Sequence, residues 1–215
     1  MFDVANAYRD GLKSFEKDRT VYEPMLTAYE ARTAWRKSTR TPVLCFLGHG
    51  RHGKDASAIY WCNKLNIAYP GSASVLMTPL IAATNSCGHE TAWTTRHENR
   101  AYWRAFCDGF RAKDPSLLAR MCLGLGDVLV GLRGAVEVMA VKKECLTHAM
   151  VWIRRPGFPD DPTVEFTAGD CDFTIENGGS LLDLYAKIDR LAEILEQERF
   201  EGECPKPAVS YWRPE

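Results

Sequence analysis

The stretch Gly48-His49-Gly50-Arg51-His52-Gly53-Lys54-Asp55 has the residue types and spacing of a phosphate-holding loop. A glycine-rich turn from a strand into a helix points several backbone N–H groups at one spot. The helix N-terminus adds partial positive charge there, and Lys54 adds a full one. The pattern G-x-x-x-x-G-K between an apolar strand and a helix suits a nucleoside triphosphate. Gly48, Gly50, His52, Gly53, Lys54, Asp55 and Ala56 are therefore the candidate ATP contacts. Asp55 stands where Ser or Thr would ordinarily ligate Mg²⁺. A carboxylate is also a hard oxygen donor, so Asp55 is the expected Mg²⁺ contact, directly or through water. An ordinary glycine-rich turn, with Asp55 only favouring the helix dipole, is the competing reading.

Phosphoryl transfer needs positive charge on both sides of the moving group, and arginine grips phosphate with two parallel hydrogen bonds. Arg96, Arg100 and Arg104 are spaced four apart, and Arg111 follows close to the same helical line. One or two of them are expected to hold an acceptor phosphate; a solvated basic face is the alternative for the others. Arg133 closes "DVLVGLR", where open α/β sheets gather their ligands at the carboxyl ends of strands. Arg154 and Arg155 follow "AMVWI" and begin a proline-rich loop that either forms a lid or is a mobile surface segment.

These residues need elements to carry them. Residues 1 to about 38 show two runs of helical periodicity. "PVLCFLG" reads as a buried parallel strand, and "ASAIYWCNKLNIAY" as a helix ended by Pro70-Gly71. "ASVLMTPL" is the expected second strand and "SCGHETAWTT" a loop. Thr95-x-x-Glu98 fits a capping box opening a helix that runs to about Phe110, and another helix follows Asp114-Pro115. "DVLVGLR", "AMVWI" and "CDFTI" complete the strands. A last helix opens at Ser180, with Leu181, Leu184, Tyr185, Ile188, Leu191 and Leu195 on its apolar face. Alternating strands and helices predict an α/β fold with a mostly parallel sheet.

The 215 residues allow one sizeable core. A formal charge of −1 gives no global attraction to nucleic acid, although the 96–120 segment is locally basic. No apolar run approaches the ~20 residues that span a bilayer, and the N-terminus has no signal-peptide pattern. Cytoplasmic location without a membrane partner is expected. The eight cysteines are scattered, with no C-x-x-C and no zinc-like spacing, and read as reduced core thiols. A homodimer is compatible with the sequence but not indicated by it.

In their order, "GHGRHGKDAS", "ENRAYWRAF…FRAKDP", "DVLVGLRGAVE", "WIRRP" and "DCDFTIENGGSLLDL" resemble the deoxynucleoside monophosphate kinases of bacteriophages, a branch of the P-loop nucleoside monophosphate kinase superfamily. The resemblance covers roughly residues 42 to 197. It implies a three-layer sandwich with a five-stranded parallel sheet, ATP and Mg²⁺ at the loop, and a helical insertion over 85–125 that receives the acceptor. Gly48, Gly53, Lys54 and Asp55 would bind ATP–Mg²⁺. Arg100, Arg111 and Arg133 would face the acceptor, with Arg96 beside them. Arg154 and Arg155 would belong to a lid-like loop over 154–168, and Asn177 would lie near the adenine. Lys54, Asp55, Arg133 and Arg154 would act on the transferred group.

The chain divides on this reading into an N-terminal helical extension (1–40), a kinase domain (41–202) and a loose tail (203–215). The extension has no counterpart in the resembled family, and its aromatic-bearing helices suggest a docking surface or an added cap. A second departure is Gly131-Leu132, where related kinases often place an acid before the strand-end arginine; Asp55 is the expected substitute. Three functions are compatible with these residues. One is transfer from ATP to a deoxynucleoside monophosphate. Another is phosphorylation of 5-hydroxymethyluracil in phage DNA, which needs a base such as Asp55 or Glu98. The last is a non-catalytic nucleotide-binding module.

Overall fold

The structure, a computed structural model, describes residues 2–69 and 72–197. The expected helix stop at Pro70-Gly71, Cys204 and the tail at 203–215 lie outside the described residues. Four strands, β1 (Leu44–Leu47), β2 (Val128–Val130), β3 (Ala149–Arg154) and β4 (Phe173–Glu176), form one parallel sheet in the order β2-β1-β3-β4. The apolar run at 43–47 takes an inner position because it is buried on both faces. Its side chains alternate. Cys45 and Leu47 join the core on one side of the sheet, with Leu129, Met150 and Trp152. Leu44 and Phe46 join the core on the other, with Val128, Val151 and Ile153.

The second face is covered by α3 (Lys54–Leu65) and α9 (Leu181–Gln197). The first is covered by α4 (Ala73–Thr84), α6 (Arg100–Phe110), α7 (Leu117–Leu125) and α8 (Ala135–Lys143). α5 (His89–Thr94) leads into a 3₁₀ turn at Thr95–His97. The helical N-terminus is a pair, α1 (Val4–Lys17) and α2 (Arg19–Thr39), laid on α6 and α7.

Four expectations need correction. The sheet has four strands and not five, because "ASVLMTPL" lies in α4. A short apolar run does not separate a buried strand from a buried helix by periodicity. Here the run continues through Ile81-Ala82, and six α4 residues are buried, as befits a helix apolar on most sides among other helices. "SCGHETAWTT" contains α5. Thr95 does not cap a helix: its hydroxyl donates back to the Thr91 carbonyl at 2.7 Å, and the expected helix breaks at 95–99 before α6 begins. Leu181 is 53% exposed, while Leu184, Ile188, Leu191 and Leu195 are buried on α9.

α1 crosses α6 at two glycines. A Cβ at Gly11 would lie 1.9 Å from the Phe106 carbonyl oxygen, and one at Gly109 would lie 1.9 Å from that of Tyr8. α2 meets α7 at Gly124 in the same way, 2.0 Å from the Met25 oxygen. Gly→Ala inside a helix ordinarily gains about 1 kcal/mol of propensity. At this crossing the new methyl meets backbone, which moves only if the helices separate. Gly11→Ala is expected to destabilise the protein by about 1–3 kcal/mol net. Gly11→Ala/Gly109→Ala should cost less than the sum, because one separation relieves both clashes. Urea unfolding midpoints of the three variants check this.

Candidate functional site

The chain leaves β1 toward β2 on one side and leaves β3 toward β4 on the other. A crevice therefore opens beyond the carboxyl ends of β1 and β3, where ligands of open α/β sheets sit. The glycine-rich loop follows β1, the proline-rich loop follows β3, and Arg133 follows β2.

The loop turns through three residues of positive φ: Gly48 (129°), Arg51 (64°) and Gly53 (103°). Two of these positions also lack room for a side chain. A Cβ at Gly48 would lie 2.2 Å from the Ile153 oxygen, and one at Gly53 would lie 2.5 Å from Asn177 Nδ2. Gly53 is the N-cap of α3, so the free amides of the first turn face the loop's concavity. Lys54 opens the helix with its side chain folded under the loop, and its ammonium donates to the His49 carbonyl. It is 7% exposed. Burial lowers its pKa to about 8, a pull that Asp55 partly offsets. A buried amine beside a nest of amides fits a polyphosphate, which would restore the charge that burial disfavours.

Both loop histidines tie the glycine-rich loop to the loop after β3. His49 Nδ1 accepts the Asp161 N–H at 3.0 Å, so its proton sits on Nε2, 3.1 Å from Asp160 Oδ1. His52 Nδ1 accepts the Arg155 N–H at 3.2 Å, and burial, with His49 and Lys54 nearby, lowers its pKa. Asn177 Nδ2 donates to the His52 carbonyl at 2.9 Å, which pins the turn after β4 against the glycine-rich loop.

Asp55 is exposed in the first turn of α3, and its Oδ1 accepts the Tyr69 hydroxyl at 2.8 Å. Burial and the Asp55 charge together raise the Tyr69 phenol, so it stays a donor. Among the described residues no group of three or more His, Cys, Asp or Glu gathers to hold a metal. One carboxylate next to a phosphate loop, held by a phenol, suits Mg²⁺, which binds through one or two carboxylates plus substrate phosphates. The carboxylate that meets Arg133 is Asp161. Ala56 packs against the α3–α9 core.

Beside the loop lies a cleft whose wall carries Arg96, Arg100, Arg104, Arg111 and Arg133. Glycine makes room for them: a Cβ at Gly50 would lie 3.0 Å from Arg100 Nη2, and one at Gly134 within 3.2 Å of Arg111 Nη2. Arg133 Nη1 donates to Asp161 Oδ2 and to the Thr163 hydroxyl, both at 2.6 Å. Arg100 Nη1 also meets Asp161 Oδ2. Arg104 pairs with Glu165 and Asp108. Arg111, at the floor, is engaged by Asp108 and by the buried Glu137, whose carboxyl burial pushes upward. Arg96 stacks on Trp93 at 3.7 Å.

The structure does not bring the other two expected arginines into this cleft. Arg154 pairs at the surface with Glu176 across β3–β4 (3.2 Å), and the Arg155 guanidinium lies on Phe158 (4.1 Å). Sequence reasoning missed Asp161, Thr163 and Tyr69. The one local signal was Asp161-Pro162-Thr163, the signature of a turn closed by an aspartate side chain. Comparison of the chain with protein-family models, with curated proteins and with solved structures finds no match.

Proposed function

We propose that this chain is an ATP-dependent P-loop kinase that phosphorylates an acceptor already bearing a phosphate, a deoxynucleoside monophosphate. The observation that carries the reading is the five-arginine cleft opening beside the loop that buries Lys54. Backbone amides of 48–54 and Lys54 hold the β- and γ-phosphates of ATP. Arg100 and Arg133 hold the acceptor phosphate in line. An acceptor phosphate oxygen forms the new bond to the γ-phosphorus as the bond to the bridging β–γ oxygen breaks, and ADP leaves with that electron pair. Mg²⁺, when bound, neutralises charge on the phosphates, and Asp55 is the residue that would hold it.

The acceptor oxygen is already an anion, so no proton need be removed. The cleft agrees with this. Asp108, Glu137, Asp161 and Glu165 are all ion-paired to arginine, and Glu98 is exposed outside it. A hydroxymethyl acceptor would need a base, and His97 on the cleft wall, its Nδ1 3.1 Å from Arg100 Nη2, is the group that reading would use. Incubation with γ-labelled ATP, Mg²⁺ and either the four dNMPs or hydroxymethyluracil DNA tests the reading. Label on a dNMP supports it, and label on DNA alone replaces it with the DNA-modifying reaction. Tight ATP binding without transfer leaves a nucleotide-binding module.

Asp55 has its own test. Asp55→Ala is expected to lose metal-dependent transfer. Tyr69→Phe, which frees the carboxylate from its donor, should raise the Mg²⁺ needed for half-maximal rate by about 10-fold or more. Full activity of Asp55→Ala at low Mg²⁺ removes Asp55 from the site.

A further inference from the structure

Asp161 follows β3 on a loop, 28 residues from Arg133 and 61 from Arg100. Its side chain is nevertheless only 3% exposed. Oδ2 accepts from Arg100 Nη1 and from Arg133 Nη1. Oδ1 accepts the Thr163 hydroxyl at 2.7 Å and the Thr163 N–H at 3.1 Å. The Asp161 N–H donates to His49 in the glycine-rich loop at 3.0 Å. Burial pushes this carboxyl up, but the bonds from Thr163 and Arg133 win and hold it well below the usual carboxylate range. A further link runs from Arg104 Nη1 to the Thr163 carbonyl at 2.7 Å.

Two guanidiniums aimed at one phosphate repel each other. A shared buried carboxylate behind them offsets one charge and fixes the plane of both forks. Arg133 and Arg100 come from different elements, Arg133 from the segment after β2 and Arg100 from the start of α6, and the carboxylate both guanidiniums reach is Asp161. Resting on the kinase reading, we infer that Asp161 is the positioning residue that aligns Arg100 and Arg133 for the acceptor phosphate. Through His49 it ties that alignment to the ATP-holding loop.

A carboxylate that merely blocks the arginines would act with the opposite sign, since its removal would speed the reaction. Asp161→Asn keeps the size and the Thr163 bonds but loses the charge. It is expected to lower kcat by about 100-fold, the cost of a small misplacement, while the acceptor KM stays level or falls because the arginines are less neutralised. A rate at or above wild type, or a KM that rises in step with the loss of kcat, overturns the inference.

Arginine Nε–H spectra keep this test separate from the kinase reading. In the wild-type chain, Arg100 and Arg133 should give sharp, exchange-protected signals that move together on adding inorganic phosphate. In Asp161→Asn they should broaden and respond independently. Unchanged spectra overturn the inference even if no acceptor is ever phosphorylated, and absent transfer with the expected spectra removes only the kinase reading. Should Asp161→Asn not fold, Asp161→Glu keeps the charge one methylene out of place; a wild-type rate in it also overturns the inference.

Discussion

Lys54→Met is expected to lose transfer by about 1,000-fold or more, as when a fixed positive group is removed from a phosphoryl-transfer site. The same variant should be no less stable than wild type. Burial lowers the Lys54 pKa from 10.5 to about 8. At 1.36 kcal/mol per unit, the buried charge carries a cost of about 3 kcal/mol. The sign follows from the proton count. Between pH 8 and 10.5 the unfolded chain holds a proton on this amine that the folded chain has released. The cost is therefore present in full below pH 8 and lifts as pH rises toward 10.5. Methionine fills much of the same space without the charge, so thermal unfolding at pH 7 should occur at an equal or higher temperature. ATP binding should show the reverse linkage. The triphosphate favours the ammonium, so binding near pH 8–9 takes up a proton and affinity falls as pH rises past 8. Calorimetry in buffers of different ionisation enthalpy measures the uptake. Binding without uptake, or a Lys54→Met enzyme that still turns over, would remove Lys54 from the phosphate site.

The legible part of this site is its local part. Gly48, Gly53 and Lys54 announce themselves because loop, helix start and cation lie within seven residues, and the structure gives two of those positions the positive φ that glycine accommodates. Arg100 and Arg133 are legible as surplus cations at places where α/β folds gather ligands. Their shared partner is not. Asp161 is one acid among several in a loop that reads as a lid, and its role exists only when residues 61 and 28 positions away converge on it. Tyr69 is hidden for the same reason: its phenol reaches back 14 residues, past the end of α3, to find Asp55. Composition and period carry no trace of such closures.

For the fold, strands buried on both faces are legible where they are short and bounded, as in 43–47 and 149–153, because no helix of that length would be stable there. The apolar segment 73–84 is not, since a buried helix and a buried strand present the same residues. The environment decides: α4 packs among α1, α5, α6 and α7. The glycine contacts at 11, 109 and 124 are equally silent in the sequence. An isolated glycine in a helical pattern lowers the helix expectation, whereas here each one permits two backbones to touch.

Asp127→Ala is expected to destabilise the protein by about 3–5 kcal/mol, because it strands a buried cation. Arg36 is 5% exposed, and its fork is spent on Asp127 Oδ1 (3.0 Å) and on the carbonyls of Leu123 and Gly126. Arg32 adds a bond to Asp127 Oδ2 at 2.6 Å, and Ala68 exchanges backbone and side-chain bonds with the same residue. The end of α2, the end of α7, the segment after α3 and the start of β2 therefore meet at one carboxylate. Burial works against its charge, yet the bonds from Arg32, Ala68 and Arg36 hold its pKa below the ordinary value. For an acid depressed in the fold, the stabilisation is present above the unfolded pKa, near 4, and is lost as pH falls through the folded one. The wild type should accordingly lose stability on acidification in a step that Asp127→Ala lacks. Removing both buried members, as in Arg36→Met/Asp127→Leu, should cost less than Asp127→Ala alone, since no unpaired buried charge from that pair is left. Urea unfolding of these variants from pH 7 to pH 3 reads all three effects, and an Asp127→Ala loss below about 1 kcal/mol, the size of an exposed pair, would deny the network its role. The same contacts make α1 and α2 part of the core: deletion of residues 1–40 removes both arginines and the glycine crossings together, so the truncated chain is expected not to fold.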